Sequence, residues 1–294
     1  MHEIENGTTS CISQQVFGAS NESQDDDNLC VDGFDYFEQS GGDESSPRNI
    51  VTFTDLAGSR RYFKTTISGL TGQFPDYGLL VVDATLGVQP ATEEHLHVAV
   101  ALDIDLFVVI TKTDCGAEES IKTILKVLTS LFDSPTRRRK LSVIRNVDDA
   151  VAYSAMFAHQ EIVPVITVSN VSGHHIDLLQ SFVSNLAPRK DQFKSAAMFY
   201  ITESHELEGV GTVVTGIAKG YVMNRDIIIC QLKSYRGCVL SGAQLLLGPD
   251  VHGKFIEVVV DSIEIQRVPV KAIYAGQMGA MSIRRAHSSS VSIR

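Results

Sequence analysis

No run of apolar residues in this chain approaches the roughly 18–20 that a membrane-crossing helix needs, so no membrane is expected as a partner. No C-x-x-C pair occurs, and the five cysteines (Cys11, Cys30, Cys115, Cys230 and Cys238) fall at irregular spacings with an odd total. That pattern argues against a disulfide framework or a thiolate zinc site and reads as a reduced, cytoplasmic protein. Neither G-x-G-x-x-G nor G-x-S-x-G stands at the end of a strand-like run, which disfavours a dinucleotide-dependent enzyme or a serine hydrolase. The opening "MHEIENGTTS" has neither the features of a secretory signal nor the arginines of a transit peptide. Basic charge is scarce where acidic charge is dense. Residues 1–49 hold eleven acidic side chains and one basic one, Arg48, and so carry the whole net charge of −10. The remaining residues balance, and bulk charge gives no reason to expect DNA or other nucleic acid as a partner.

What is present divides the chain. Residues 1–49, rich in Ser, Asp, Gly and Asn, read as an acidic flexible arm. Asp25-Asp26-Asp27 within it lack the spacing and closing glutamate of a Ca²⁺ loop. From residue 50 four short runs, 49–54, 77–84, 105–111 and 162–169, are apolar on consecutive positions, as strands covered on both faces of a parallel sheet should be. Helical patterns fit between them over 91–102, with Thr92 as the expected N-cap, and over 117–132 and 173–186. This alternation predicts a doubly wound α/β domain over 50–187. Residues 188–195 read as a linker. Short alternating runs broken by glycines then predict a small β-barrel over 196–294, with 221–236 as an insertion into it.

Ligands of open α/β sheets sit beyond the carboxyl ends of the strands, and three motifs occupy those ends. Asp55-Leu56-Ala57-Gly58 can hold Mg²⁺ through the aspartate and offer a glycine N–H to a γ-phosphate. Thr111-Lys112-Thr113-Asp114 can accept two hydrogen bonds from a guanine edge and pack a lysine stem on the base. Ser169-Asn170-Val171-Ser172-Gly173 places backbone N–H groups for a guanine oxygen. Each motif alone is weak to moderate; all three in this order form a strong signal.

With these motifs, residues 2–11 and about 50–285 resemble the translational GTPases. The similarity is greatest to the GTP-binding protein 1 and 2 family, relatives of elongation factor 1-alpha and elongation factor Tu. The resemblance implies a P-loop-GTPase-like G domain followed by a translational-factor-type β-barrel. It implies GTP or GDP and Mg²⁺ as cofactors, and tRNA or the ribosome as a partner met through the barrel. By the same resemblance Thr9 and Asp55 serve Mg²⁺, Gly58 senses the γ-phosphate, and Thr111, Lys112, Asp114, Ser169, Asn170 and Val171 serve the base.

Several departures qualify that picture. No G-x-x-x-x-G-K-[ST] occurs, although the family carries one upstream of the segment matched by residues 2–10, so the G domain reads as incomplete. The strand that goes with that loop is central, so the runs 49–54 and 77–84 are expected to keep unpaired edges. Ser59 stands where the family has the histidine that positions the attacking water, which implies weak or no hydrolysis. Two other classes follow from these departures: a binding module that has lost GTP dependence, and a truncated or mis-spliced product without independent activity. His95 and His97 do not share a helix face, so a metal site there is disfavoured. His174-His175 read as surface or packing residues at the start of a helix, and "RRRK" (137–140) reads as a solvated basic loop.

Overall fold

The computed structural model describes residues 9–19, 49–115, 118–134, 137–158, 162–187, 198–219, 228–231, 238–265 and 267–286. Asp25-Asp26-Asp27, the 188–195 linker and most of 221–236 lie outside them. The chain forms two compact units that divide after Arg189.

The first unit contains β1 (Ser13–Ala19), β2 (Asn49–Asp55), helix α1 (Phe63–Gly72), β3 (Tyr77–Asp83), α2 (Pro90–Ala101), β4 (Asp105–Thr111) and α3 (Glu118–Phe132). A two-residue ladder of β5 (Asp133–Ser134) with β6 (Arg137–Arg138) follows, then β7 (Lys140–Val143), α4 (Val147–Ala158), β8 (Ile162–Thr167) and α5 (Ile176–Ser184). The order β3-β4-β8-β7 is parallel throughout. Residues Asp105 to Ile110 of β4 are all buried, because the sheet is covered on both faces. Val108 and Ile110 pack with Leu96, Ile124 and Leu128 from α2 and α3. Phe107 and Val109 pack with Phe157 and Phe182 from α4 and α5. The unbroken apolar run of β4 is thus the signature of a doubly covered strand.

β3 differs. Leu80 and Val82 are buried, but Leu79 and Val81 on the opposite face are 37% and 56% exposed. Nor does β2 join the parallel sheet; it pairs antiparallel with β1, in register from Ser13↔Asp55 to Ala19↔Asn49. Among the described residues β2 and β3 each pair on one side only. Residues 13–19 correct the reading of 1–49 as a flexible arm throughout, because they form a strand.

The basic run 137–140 is also not simply solvated. The Arg139 and Asp105 side chains are only 10% and 4% exposed, and Arg139 donates to the Asp105 carboxylate at 2.6 Å. Burial of both charges is tolerated because each neutralises the other.

The second unit is antiparallel. It comprises β9 (Met198–Leu207), β10 (Gly211–Lys219), β11 (Ile228–Gln231), β12 (Cys238–Leu240), β13 (Gln244–Gly248), β14 (Ile256–Ile265), β15 (Val268–Val270), β16 (Ala272–Tyr274) and β17 (Met278–Arg285). Pairing runs β13-β11-β9-β10-β17-β14, and β14 pairs again with β13, so the six strands close. Closure removes the free edges that an open sheet would present. Phe199, Leu245, Val260, Ile263 and Met281 fill the interior. Gly216 sits at the bulge between β9 and β10, where a Cβ would fall 1.8 Å from the Tyr200 carbonyl oxygen. Ile228–Gln231 lie between β9 and β13, so this part of the segment read as an insertion is a strand of the barrel.

Candidate functional site

β4 and β8 deliver one half of the site. Immediately beyond β4, Lys112 adopts φ 57°, which turns the chain sharply. Thr113 then donates from both its backbone N–H and its hydroxyl to the Val168 carbonyl, at 3.4 and 3.1 Å. These bonds pin the T-K-T-D turn against the chain leaving β8.

The turn presents Asp114 with its carboxylate already oriented. The buried Ser169 hydroxyl donates to Asp114 Oδ1 at 2.5 Å, and the Cys115 thiol donates to Oδ2 at 3.1 Å. The Ser169 and Cys115 bonds hold the Asp114 carboxyl below its ordinary range. Asp114 itself pushes the Cys115 thiol up. Each carboxylate oxygen keeps a second lone pair, so the exposed aspartate can still accept two N–H groups from a planar ligand edge.

The Ser169–Gly173 turn is built around the same serine. Ser169 Oγ accepts the Ser172 N–H at 3.2 Å, and the Ser169 N–H donates to the His174 carbonyl at 3.1 Å. Asn170 is exposed and Val171 is 88% exposed, which leaves the tip of the turn open to a ligand. The His174 and His175 rings stack at 3.6 Å, and His175 at φ 57° is the N-cap residue before α5. Both precede the helix that was expected to include them. The Thr111 carbonyl accepts the Ala84 N–H at 2.9 Å and joins the ends of β3 and β4.

The other group of expected residues lies at the end of β2. Thr9 donates to Asp55 Oδ2 at 3.4 Å, so the two residues assigned to Mg²⁺ meet although 46 positions separate them. Both offer oxygen, the donor type Mg²⁺ takes, and a single carboxylate with a hydroxyl suits an ion that shares its shell with water and phosphate. Among the described residues no group of three or more His, Cys, Asp or Glu could hold a metal alone. The D-x-x-G turn is anchored from behind: the Thr66 hydroxyl of α1 donates to the buried Ala57 carbonyl at 2.5 Å. Gly69 lets Leu56 approach, since a Cβ there would fall 2.3 Å from a Leu56 methyl. Gly58 is exposed, with nothing within 4 Å of where a Cβ would be.

Ser59 is half-buried and makes no side-chain capping bond to the 3₁₀ turn Arg60–Tyr62 that it precedes. That turn is tied to α2. The Arg60 guanidinium pairs in a fork with the Glu94 carboxylate, one arm at 3.0 Å, and holds that carboxyl below its ordinary range. Phe63 packs on the His95 ring with centroids 5.5 Å apart. Pairing did not reveal these contacts in the sequence, because Arg60 and Glu94 are 34 positions apart on different elements.

His95 Nε2 is buried without a hydrogen-bond partner among the described residues, and burial lowers the imidazole pKa from 6.5. The unfolded chain therefore takes up a proton that the folded chain resists, so this contribution to stability is whole above pH 6.5 and lost as pH falls through the depressed folded value. The denaturation midpoint should drop as pH falls below 6.5, and His95→Phe should flatten that slope. An unchanged slope in the variant would assign the drop to other groups.

The elongation factor Tu GTP binding domain family matches residues 1–189 of this chain. GTP-binding protein 1 of Xenopus laevis is 33% identical over 99% of the chain and 42% of its own length. GTP-binding protein 2 of Mus musculus is 30% identical over 96% of the chain and 44% of its own length. The chain thus spans less than half the length of these curated relatives. Among solved structures, a bacterial selenocysteine-specific elongation factor EF-Sec is similar at a TM-score of 0.59, with 20% identity, over 97% of this chain and 38% of that one. At that identity the likeness speaks for the fold.

Proposed function

The chain belongs to the elongation factor Tu GTP-binding family, a family of translational GTPases, and from that premise we propose that it binds GTP and GDP and hydrolyses GTP slowly. The observation that carries the reading is the Asp114 carboxylate, exposed and held by Ser169 and Cys115 at the carboxyl ends of β4 and β8. Asp114 would accept the guanine edge, the Lys112 stem would pack on the base, and the Ser169-Asn170-Val171 turn would offer N–H groups to the guanine oxygen. Thr9 and Asp55 would hold Mg²⁺, whose chemistry is to neutralise the phosphate oxygens during transfer. Gly58 would turn its N–H toward the terminal phosphate. A task linked to tRNA or the ribosome, met through the barrel, belongs to this reading and draws on the relatedness to translation factors.

Slow turnover follows from Ser59. A serine hydroxyl is short and cannot become an imidazolium, so it offers little to an attacking water, and general acid–base positioning contributes roughly 10²–10⁴-fold. Single-turnover GTP hydrolysis by the chain and by Ser59→His tests this. The variant is expected to be faster by roughly 10²-fold or more. Equal rates would remove Ser59 as the cause of slow turnover, and rapid hydrolysis by the unchanged chain would contradict the reading of impaired activity.

A further inference from the structure

Asp83 ends β3, level with Thr111 at the end of β4. It is the residue immediately across the sheet from the start of the T-K-T-D turn, and no motif includes it. Its carboxylate is committed on both oxygens. Oδ1 accepts the Thr85 backbone N–H at 2.7 Å and the Thr85 hydroxyl at 2.6 Å. Oδ2 faces the Lys112 ammonium at 2.7 Å. Thr85 belongs to a turn that is itself closed by the Gly87 N–H donating to the Asp83 carbonyl at 2.8 Å. The anchor is therefore firm, with the Asp83 side chain 18% exposed, whereas the Lys112 side chain is 63% exposed.

Lysine is a flexible four-carbon chain with large rotamer freedom, and an exposed one has little reason to stay in one place. Here the left-handed backbone of Lys112 sets where the side chain leaves, and Asp83 fixes where it ends. We propose that Asp83 is a positioning residue of the base site: by tethering the Lys112 ammonium at the end of β3, it holds the lysine stem as a preformed apolar wall for a purine ring. This rests on the reading of Asp114 and Lys112 as the guanine-binding pair. The wall is paid for before the nucleotide arrives, so binding loses less side-chain freedom. The Lys112 bond, followed by the Thr85 bonds, holds the Asp83 carboxyl well below the ordinary carboxylate range, so the tether stays charged through mildly acidic conditions.

The test is equilibrium titration with fluorescent GDP and Mg²⁺ of the unchanged chain, Asp83→Asn, Lys112→Met and the double variant, with thermal unfolding of all four alongside. Asp83→Asn keeps an acceptor for Thr85 and removes the charge; Lys112→Met keeps most of the stem and removes the ammonium. Asp83→Asn is expected to weaken GDP binding by roughly two- to fivefold, the range of an exposed ion pair. It should change nothing further in the Lys112→Met background. Raising salt should bring the unchanged chain toward Asp83→Asn, because the pair is screened. An Asp83→Asn loss that is as large at high salt, or as large without the lysine charge, would make Asp83 a merely structural residue of its turn. No effect of Asp83→Asn on a chain that binds GDP would overturn the tether. A chain that prefers no guanine nucleotide at all would instead overturn the base-site reading, and the tether with it.

Discussion

Asp114→Ala is expected to weaken guanine-nucleotide binding by roughly 10²- to 10³-fold and to leave the unfolding midpoint close to that of the unchanged chain. The size follows from what the aspartate would supply on the proposed reading: two charge-assisted acceptors for one planar edge, in a site that would reject partners lacking the complementary groups. The small effect on folding follows from its exposure, since Asp114 takes no part in the apolar clusters on either side of β4. Ser169→Ala acts in the same direction but more weakly, because it frees the carboxylate without removing it, and it also takes the acceptor from the Ser172 N–H. Titration of both variants with GDP, compared with unfolding curves, separates recognition from stability. A loss of binding that tracks the unfolding midpoint would deny Asp114 its direct role.

Arg139→Met has the opposite profile. It leaves the buried Asp105 carboxylate without the guanidinium at 2.6 Å, in a position where the aspartate is 2% exposed. Breaking such a pair costs about 3–5 kcal/mol. Combining Arg139→Met with Asp105→Asn should recover much of that loss, since the buried charge goes with it. Denaturant unfolding monitored on the first unit measures both variants. An Arg139→Met cost below about 1 kcal/mol, the level of a surface pair, would contradict the structural role assigned to the ion pair.

The parts of this fold that could be read in the chain are those where one physical cause dominates. β4 and β8 are apolar without interruption because α2 and α3 cover one face and α4 and α5 the other. The 118–132 helix carries Ile124, Leu128 and Phe132 on one buried side, so its period is visible. α2 starts slightly earlier than expected, with Gln89 as N-cap and Thr92 at the third helical position, where its hydroxyl accepts the Gln89 N–H at 3.3 Å. Other elements were hidden. β1, "SQQVFGA", is partly polar and is stabilised by pairing with β2 rather than by its own pattern. α1 contains β-branched Thr65, Thr66 and Ile67 and two glycines, a composition of weak helix propensity. α4 does carry a signal in the sequence: Asn146 precedes it, and its side chain accepts the Asp149 N–H at 2.8 Å.

The same division applies to the candidate site. Asp114, Ser169 and Asp55 could be named because each stands in one of three ordered motifs, and Thr9 only through the family resemblance; contacts join Asp114 to Ser169 and Thr9 to Asp55. Asp83 could not, because its meaning depends on the parallel register of β3 and β4 and on the left-handed turn at Lys112. The Arg60–Glu94 and Phe63–His95 contacts escaped for a similar reason; they exist only when the turn after D-x-x-G packs against α2.

The most direct measurement is a competition titration of the unchanged chain: fluorescent GDP with Mg²⁺, displaced by unlabelled GDP, GTP or ADP. The account predicts that GDP and GTP displace the probe and that ADP fails to do so even at roughly 100-fold higher concentration. Displacement by ADP at the same concentrations as GDP, or the absence of any guanine-dependent signal, would contradict the assignment of the β4 and β8 ends as a guanine-reading site.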